Sequence, residues 1–140
     1  MSSHVPEPSR ALVRRRAALR CEYCGIHEDD CFFSHEPDHV IAEKHGGITE
    51  AHNLALSCFE CNRFKGTDIG SIDPETGILT PLFNPRRQIW EDHFRLEGGR
   101  IVPLSAEARV TERLLHLNAP SRIVERLMLQ RVGRYPGGGA

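Results

Sequence analysis

The sequence lacks any long apolar run, although 39% of its 140 residues are hydrophobic. No stretch approaches the roughly 20 consecutive apolar residues that a transmembrane helix needs, so we expect no membrane partner. The first residues, Met1–Pro8, lack the basic start and the apolar stretch of a secretory leader. Internal repeats and long low-complexity segments are absent too. These absences predict one globular, cytoplasmic domain over residues 1–140, with a modest core.

Lysine is also scarce: of the 18 basic residues, 2 are lysines and 16 are arginines. Arginine suits bidentate contacts with phosphate, but a bias in genome composition produces the same excess. The net charge is distributed unevenly: residues 1–20 carry +4, residues 21–62 carry −8 and residues 63–140 carry +3. An acidic middle between basic flanks suits a cation site approached by a polyanion. An unevenly charged, solvated surface explains the same pattern equally well.

The cysteines form two CxxC pairs that 33 residues separate. In the cytoplasm isolated disulfides are rare, and clustered cysteines more often hold a metal. Two tight turns, Cys21/Cys24 and Cys58/Cys61, would complete a tetrahedral shell of four thiolates, which is the pattern of a structural zinc site. A redox CxxC motif or chance thiols are the alternatives, but a redox motif needs only one pair. Cys31 is left over, and a place in the core is its expected role.

The remaining pattern predicts an α+β fold. We expect an N-terminal helix over residues 9–19 with Ser9 as its cap, a strand over residues 38–42 and a helix around residues 60–65. Gly98-Gly99 predicts a hairpin, and two closing helices should begin at the Ser105 cap and after Pro120. The last helix should place Ile123, Val124, Leu127 and Met128 on one side.

From the first cysteine pair to just after the second, the chain contains five short motifs in this order: CEYC, DHV, HGG, NLALSC and CNRFKG. With these motifs, residues 21–66 resemble the zinc-containing branch of the HNH endonuclease family, which is named for its His-Asn-His motif. The resemblance continues through LFNPR and WEDHF into the closing helices. It implies a ββα-metal core over residues 21–66, stapled by the four-cysteine zinc site, with residues 78–132 as a support region.

The resemblance also implies a role for each motif residue. His39 would be the general base that takes a proton from water, and Asn53 would hold the loop that orients it. Asp38 and Asn62 would supply oxygen ligands for a catalytic Mg²⁺ or Mn²⁺. Successive residues of a strand point to opposite faces, so Asp38 and His39 share one site only if the strand twists or ends there. Asn62 stands where the family often has His, which bears on metal preference more than on activity.

Arg63 and Lys65 follow Asn62 on the expected helix and are the expected phosphate contacts, although solvated surface charges explain them nearly as well. The sequence therefore predicts a DNA endonuclease with structural Zn²⁺, one catalytic divalent ion and no small-molecule cofactor. The alternative is a zinc-stapled module that binds nucleic acid without cleaving it, which would need none of the catalytic residues. A third reading is a zinc domain that contacts proteins through residues 100–132. No feature indicates a particular oligomeric state.

Overall fold

The computed structural model describes residues 4–137, which form five helices and three two-stranded antiparallel sheets. The outermost residues of the expected domain, 1–3 and 138–140, lie outside this part. The predicted α+β class is confirmed. In chain order the elements are α1 (Glu7–Arg16), β1 (Glu36–His39), β2 (Leu54–Ser57), α2 (Phe59–Lys65), β3 (Gly70–Ile72), β4 (Leu79–Pro81), α3 (Trp90–His93), β5 (Phe94–Glu97), β6 (Arg100–Pro103), α4 (Ala106–Leu114) and α5 (Pro120–Arg131).

A ββα unit forms the middle of the chain. Strand β1 pairs antiparallel with β2, with Asp38 opposite Ala55 and His39 opposite Leu54. All four residues of β2 are buried, and α2 starts almost directly after it. The predicted strand over residues 38–42 is shifted, because β1 ends at His39. Beyond that point Ile41 bonds to the side chain of Asn53 rather than to a neighbouring strand.

The first helix begins two residues earlier than predicted, at Glu7, and ends at Arg16 instead of continuing to residue 19. Ser9 lies inside it and is not its cap, since no side chain caps this helix. A proline in the first turn suits helix initiation because its φ is already helical. Ala18 and Leu19 have φ values of 53° and 61°, so the backbone turns left-handed and the helix cannot continue.

The C-terminal elements follow the prediction closely. Strands β5 and β6 pair around Gly98-Gly99, and the Ser105 hydroxyl accepts a hydrogen bond from the Ala108 amide at the start of α4. Both predictions are confirmed. The buried residues of α5 are Arg122 and Arg126. Val124, Leu127 and Met128 are exposed.

The main core surrounds the four paired cysteines and joins the two halves of the chain. Its buried apolar residues are Cys21, Tyr23, Cys24, Ile26, Val40, Ala55, Cys58, Cys61, Phe83, Phe94, Ile101, Ala108, Leu115 and Leu117. A smaller cluster of Val5, Val13, Leu54 and Leu56 fixes α1 against β2. Among residues 4–137 no helix has the length and apolar character needed to cross a membrane.

Candidate metal centre and active site

The four paired cysteines meet in one buried cluster. The Sγ atoms of Cys21, Cys24, Cys58 and Cys61 all lie within 4.8 Å of one another. The Cys24 and Cys58 sulfurs are 3.8 Å apart, and tetrahedral Zn–S bonds of about 2.3 Å would place sulfurs about 3.8 Å apart. Hydrogen bonds from the neighbouring thiols hold the pKa of Cys24 well below its ordinary value. The cluster is therefore placed to bind one metal ion and fits the dimensions of zinc.

Local backbone structure aims each pair inwards. In the first pair the Gly25 amide donates to the Cys21 carbonyl at 2.8 Å, and Gly25 has a φ of 85°, which glycine adopts without strain. In the second pair Cys58 is the residue before α2, and its sulfur accepts a hydrogen bond from the Cys61 amide at 3.4 Å. Cys31 is half-buried beside the core and belongs to neither pair. Burial raises the pKa of its thiol to about 12.

Residues from the C-terminal half hold the first CxxC turn in place. Arg86 pairs with the carboxylate of Glu22, whose other oxygen accepts from the Leu56 amide of β2 at 2.8 Å. The Trp90 indole N–H donates to the Tyr23 carbonyl at 2.9 Å, and the Tyr135 hydroxyl donates to the Cys24 carbonyl at 2.7 Å. The residues after position 82 thus contribute directly to the metal centre.

His39 lies at the end of β1, half-buried, on the side opposite to Asp38. Its Nε2 atom is 2.9 Å from the Thr49 hydroxyl, which lies 3.5 Å from a carboxylate oxygen of Glu43. The other ring nitrogen, Nδ1, forms no hydrogen bond with residues 4–137. The imidazole is therefore oriented by one nitrogen and keeps the other available.

Asp38 points inwards and pairs with Lys65. The Lys65 ammonium lies 3.0 Å from Asp38 Oδ2 and donates to the His39 carbonyl at 2.9 Å. Lys65 is 1% exposed, so its burial contradicts the expected contact with a phosphate. Burial raises the pKa of Asp38, while the Lys65 charge opposes that rise. The Tyr23 hydroxyl, 3.5 Å away, also donates to Oδ2, which leaves Oδ1 outside these contacts.

The side chain of Asn53 closes the loop between β1 and β2. Its oxygen accepts from the Ile41 amide, and its nitrogen donates to the Ile41 and Ile48 carbonyls, all at 2.9 Å. Gly47 lies directly against this arrangement, because a Cβ atom there would overlap the Ile41 carbonyl and lie 2.8 Å from Asn53 Nδ2. The Asn53 amide and the glycine together determine the path of the loop that leaves His39.

The two remaining motif residues lie on α2. Asn62 is half-buried, and its side chain forms no hydrogen bond with the described residues. It precedes Lys65 by three positions, so the two are neighbours on one side of the helix, and Lys65 touches β1. Arg63 is exposed, with its guanidinium carbon 5.2 Å from the centre of the Phe64 ring. Arg63 thus presents a cation to solvent next to Asn62.

Much of the basic N-terminal flank is bound to the acidic middle of the chain. Arg14 forms two hydrogen bonds of 2.7 Å with Glu28, and Arg10 lies 3.7 Å from Glu36. Arg16 donates to backbone carbonyls of the loop and of β2. These contacts are structural, so the segmental charge pattern does not by itself outline a surface for a polyanion.

The ββα order, the position of His39 at a strand end and the four-thiol cluster all lie within residues 21–68. Residues 21–68 match the HNH endonuclease family. The match covers about a third of the chain and includes both cysteine pairs and the motif residues Asp38, His39, Asn53 and Asn62, whereas LFNPR and WEDHF lie beyond it. No curated protein and no solved structure matches the chain.

Three residues that contact the site residues were not identified from the sequence. Thr49 binds His39, Tyr23 binds Asp38, and Arg122 binds the second cysteine pair. The position of Tyr23 inside CEYC was a usable signal, since a residue between two metal-binding thiols is held close to the site. Thr49 and Arg122 had no comparable signal, because their contacts depend on how the chain folds back.

Proposed function

We propose that the chain is a metal-dependent endonuclease that hydrolyses DNA phosphodiester bonds, with His39 as general base, one catalytic divalent ion and a structural zinc. The observation that carries the proposal is the arrangement of His39 in the HNH segment. Its Nε2 is held by Thr49, and its Nδ1 has no partner among the described residues. Such an imidazole can take a proton from an attacking water.

Asp38 and Asn62 would hold the catalytic ion. Asp38 Oδ1 takes no part in the contacts with Lys65 and Tyr23, and the side-chain amide of Asn62 forms no hydrogen bond with residues 4–137. Two oxygen ligands suit Mg²⁺ or Mn²⁺, because Mg²⁺ in enzymes keeps several waters and takes few protein ligands. The ion would neutralise charge on the scissile phosphate. The ammonium of Lys65 favours the ionised form of Asp38, which is the form that binds a cation.

The structural metal and the DNA contact follow from the same segment. The sulfur spacing, and a cluster that contains only thiols among residues 4–137, favour zinc in a closed tetrahedral site, which stabilises the fold and takes no part in the chemistry. The five free cysteines suit a reducing cytoplasm. Exposed Arg63, next to Asn62 on α2, is the residue that we propose to contact a DNA phosphate.

The test compares His39→Ala with the matched control His52→Ala. His52 is an exposed histidine in the same loop region, and its side chain makes no hydrogen bond with residues 4–137. Plasmid cleavage would be measured in Mg²⁺ or Mn²⁺, and DNA binding by gel shift in Ca²⁺. We expect His39→Ala to cleave about 10²–10⁴-fold more slowly, because a positioned base contributes that much, and to bind DNA normally. The control should behave as wild type.

The pH dependence provides a second readout. A histidine base acts in its neutral form, so wild-type cleavage should rise with pH until the imidazole is neutral, and His39→Ala should lack this rise. Equal cleavage rates for wild type and His39→Ala at several pH values would refute the mechanism. Tight binding without cleavage by every variant, wild type included, would instead identify a binding module.

A further inference from the structure

The guanidinium of Arg122 lies against the second pair of thiols. Its Nη2 donates to Cys61 Sγ at 3.1 Å and approaches Cys58 Sγ at 3.8 Å. The Nη1 atom donates to the carbonyls of Leu115 at 2.8 Å and His116 at 3.3 Å, at the end of α4. The side chain is 4% exposed, so it is held from both sides inside the protein.

This position matters because four thiolates around Zn²⁺ carry a net charge of −2. A buried charge of that size is costly unless an opposite charge or hydrogen-bond donors compensate for it. Among the described residues, the nearest carboxylate oxygen to Arg122 is Glu60 Oε1, 4.0 Å from Nε, and the Glu60 side chain is 46% exposed. The sulfurs are thus the closest acidic partners of the guanidinium.

A second arginine on the same helix provides a comparison. Arg126 lies one turn later and is 2% exposed. Its acceptors are all oxygen atoms: the Gly99 carbonyl at 2.7 Å, the Leu117 carbonyl at 2.6 Å and Asn118 Oδ1 at 3.3 Å. Both arginines bind α5 to backbone carbonyls of earlier segments, but of the two only Arg122 also contacts sulfur.

Two of the buried thiols, Cys24 and Cys58, line a cavity. The cavity has a volume of about 400 Å³, and Cys31, Phe33, Arg63 and Arg122 line it too. A thiolate next to such a cavity reacts with electrophiles according to its electron density. A charged N–H donor on the sulfur lowers that density.

We propose that Arg122 is a positioning residue of the metal centre, which neutralises the thiolates of Cys58 and Cys61 and thereby protects the bound zinc from release. The inference rests on the zinc site of the proposed function. It does not depend on nuclease activity. It predicts that loss of the charge at position 122 makes the zinc-bound thiolates more reactive without moving the ligands themselves.

The experiment follows zinc release from the full-length, zinc-loaded protein after addition of iodoacetamide, with a colorimetric zinc chelator as the readout. In this reaction the sulfur displaces iodide and forms an S–C bond, and the zinc–sulfur bond breaks. Arg122→Met should release zinc about tenfold faster than wild type, in line with the loss of a hydrogen bond to a charged group. Arg122→Lys retains the charge and should fall between the two.

Arg126→Met is the matched control, because it removes an equally buried arginine of α5 that touches no sulfur. It should release zinc at the wild-type rate even if it lowers the free energy of unfolding. Cobalt substitution gives a second readout, since the sulfur-to-cobalt absorption band should shift in Arg122→Lys and Arg122→Met and remain in place in Arg126→Met. If Arg122→Met does not fold, the shift of this absorption band in Arg122→Lys alone tests the inference.

Equal release rates and equal cobalt spectra for the variants at positions 122 and 126 would overturn the inference. Purified wild-type protein without zinc would overturn both the zinc assignment and the inference. A zinc-loaded wild type that fails to cleave DNA would refute only the nuclease, and the order of release rates would still support the role of Arg122.

Discussion

Replacing Lys65 with Met should destabilise the fold by about 3–5 kcal/mol, because removal of one partner leaves a buried charge uncompensated. Lys65 is 1% exposed and Asp38 is 8% exposed, and their charged atoms lie 3.0 Å apart. Methionine fills a similar volume, so the loss reflects the charge and the hydrogen bond to the His39 carbonyl more than a cavity.

The assay is urea unfolding of the zinc-loaded protein at neutral pH, followed by circular dichroism. Lys44→Met is the matched control, since Lys44 is the only other lysine and is exposed. A surface change of this kind should alter the free energy of unfolding by at most about 0.5 kcal/mol. The double variant Asp38→Asn/Lys65→Met should recover part of the stability, because it leaves no unpaired charge.

The effect of Lys65→Met should also depend on pH. Burial already raises the pKa of Asp38 in the wild type, and without Lys65 nothing comparable opposes that rise. A carboxyl whose folded pKa is raised destabilises the fold above that pKa and ceases to do so as it is protonated. The gap between Lys65→Met and wild type should therefore narrow as the pH falls. If Lys65→Met proves as stable as Lys44→Met at neutral pH, the buried ion pair is refuted.

Two further predictions concern the metal centre and the C-terminal half. Cys58→Ser should lose zinc and unfold, since zinc binding contributes roughly 10 kcal/mol or more in small zinc domains, whereas Cys31→Ser should retain a full zinc content by metal analysis. The hydrogen bonds from Arg109 hold the pKa of Asp73 well below its ordinary value, so this pair stabilises the fold above the unfolded pKa of about 3.9 and the benefit declines at lower pH. Unfolding measured from pH 7 to pH 2 should show Asp73→Asn less stable than wild type at neutral pH, with a difference that shrinks below about pH 4; a constant difference would contradict this assignment.

The sequence alone determined the features that short spacing controls. Two residues between thiols suffice to aim both at one ion, so CEYC and CFEC predicted the four-sulfur cluster. Glycine pairs and caps act within a few residues, so the hairpin at Gly98-Gly99 and the start of α4 at Ser105 were predictable. The ββα unit was implied by the family resemblance of the ordered motifs: DHV overlaps β1, NLALSC overlaps β2 and CNRFKG overlaps α2, whereas CEYC and HGG lie outside these elements.

Only the tertiary structure decided which charges are buried and what they bind. Lysine and arginine usually lie at the surface of a protein, and nothing in the residues next to Lys65 and Arg122 along the chain distinguishes them from the exposed Arg63. Lys65 is buried because α2 packs on β1 and brings its ammonium to Asp38, 27 positions earlier. Arg122 is buried because α5 folds back onto Cys61, 61 positions earlier. In this orientation Val124, Leu127 and Met128 of α5 are exposed to solvent. Local spacing carries no information about such contacts, since they arise between segments that meet only when the chain is folded.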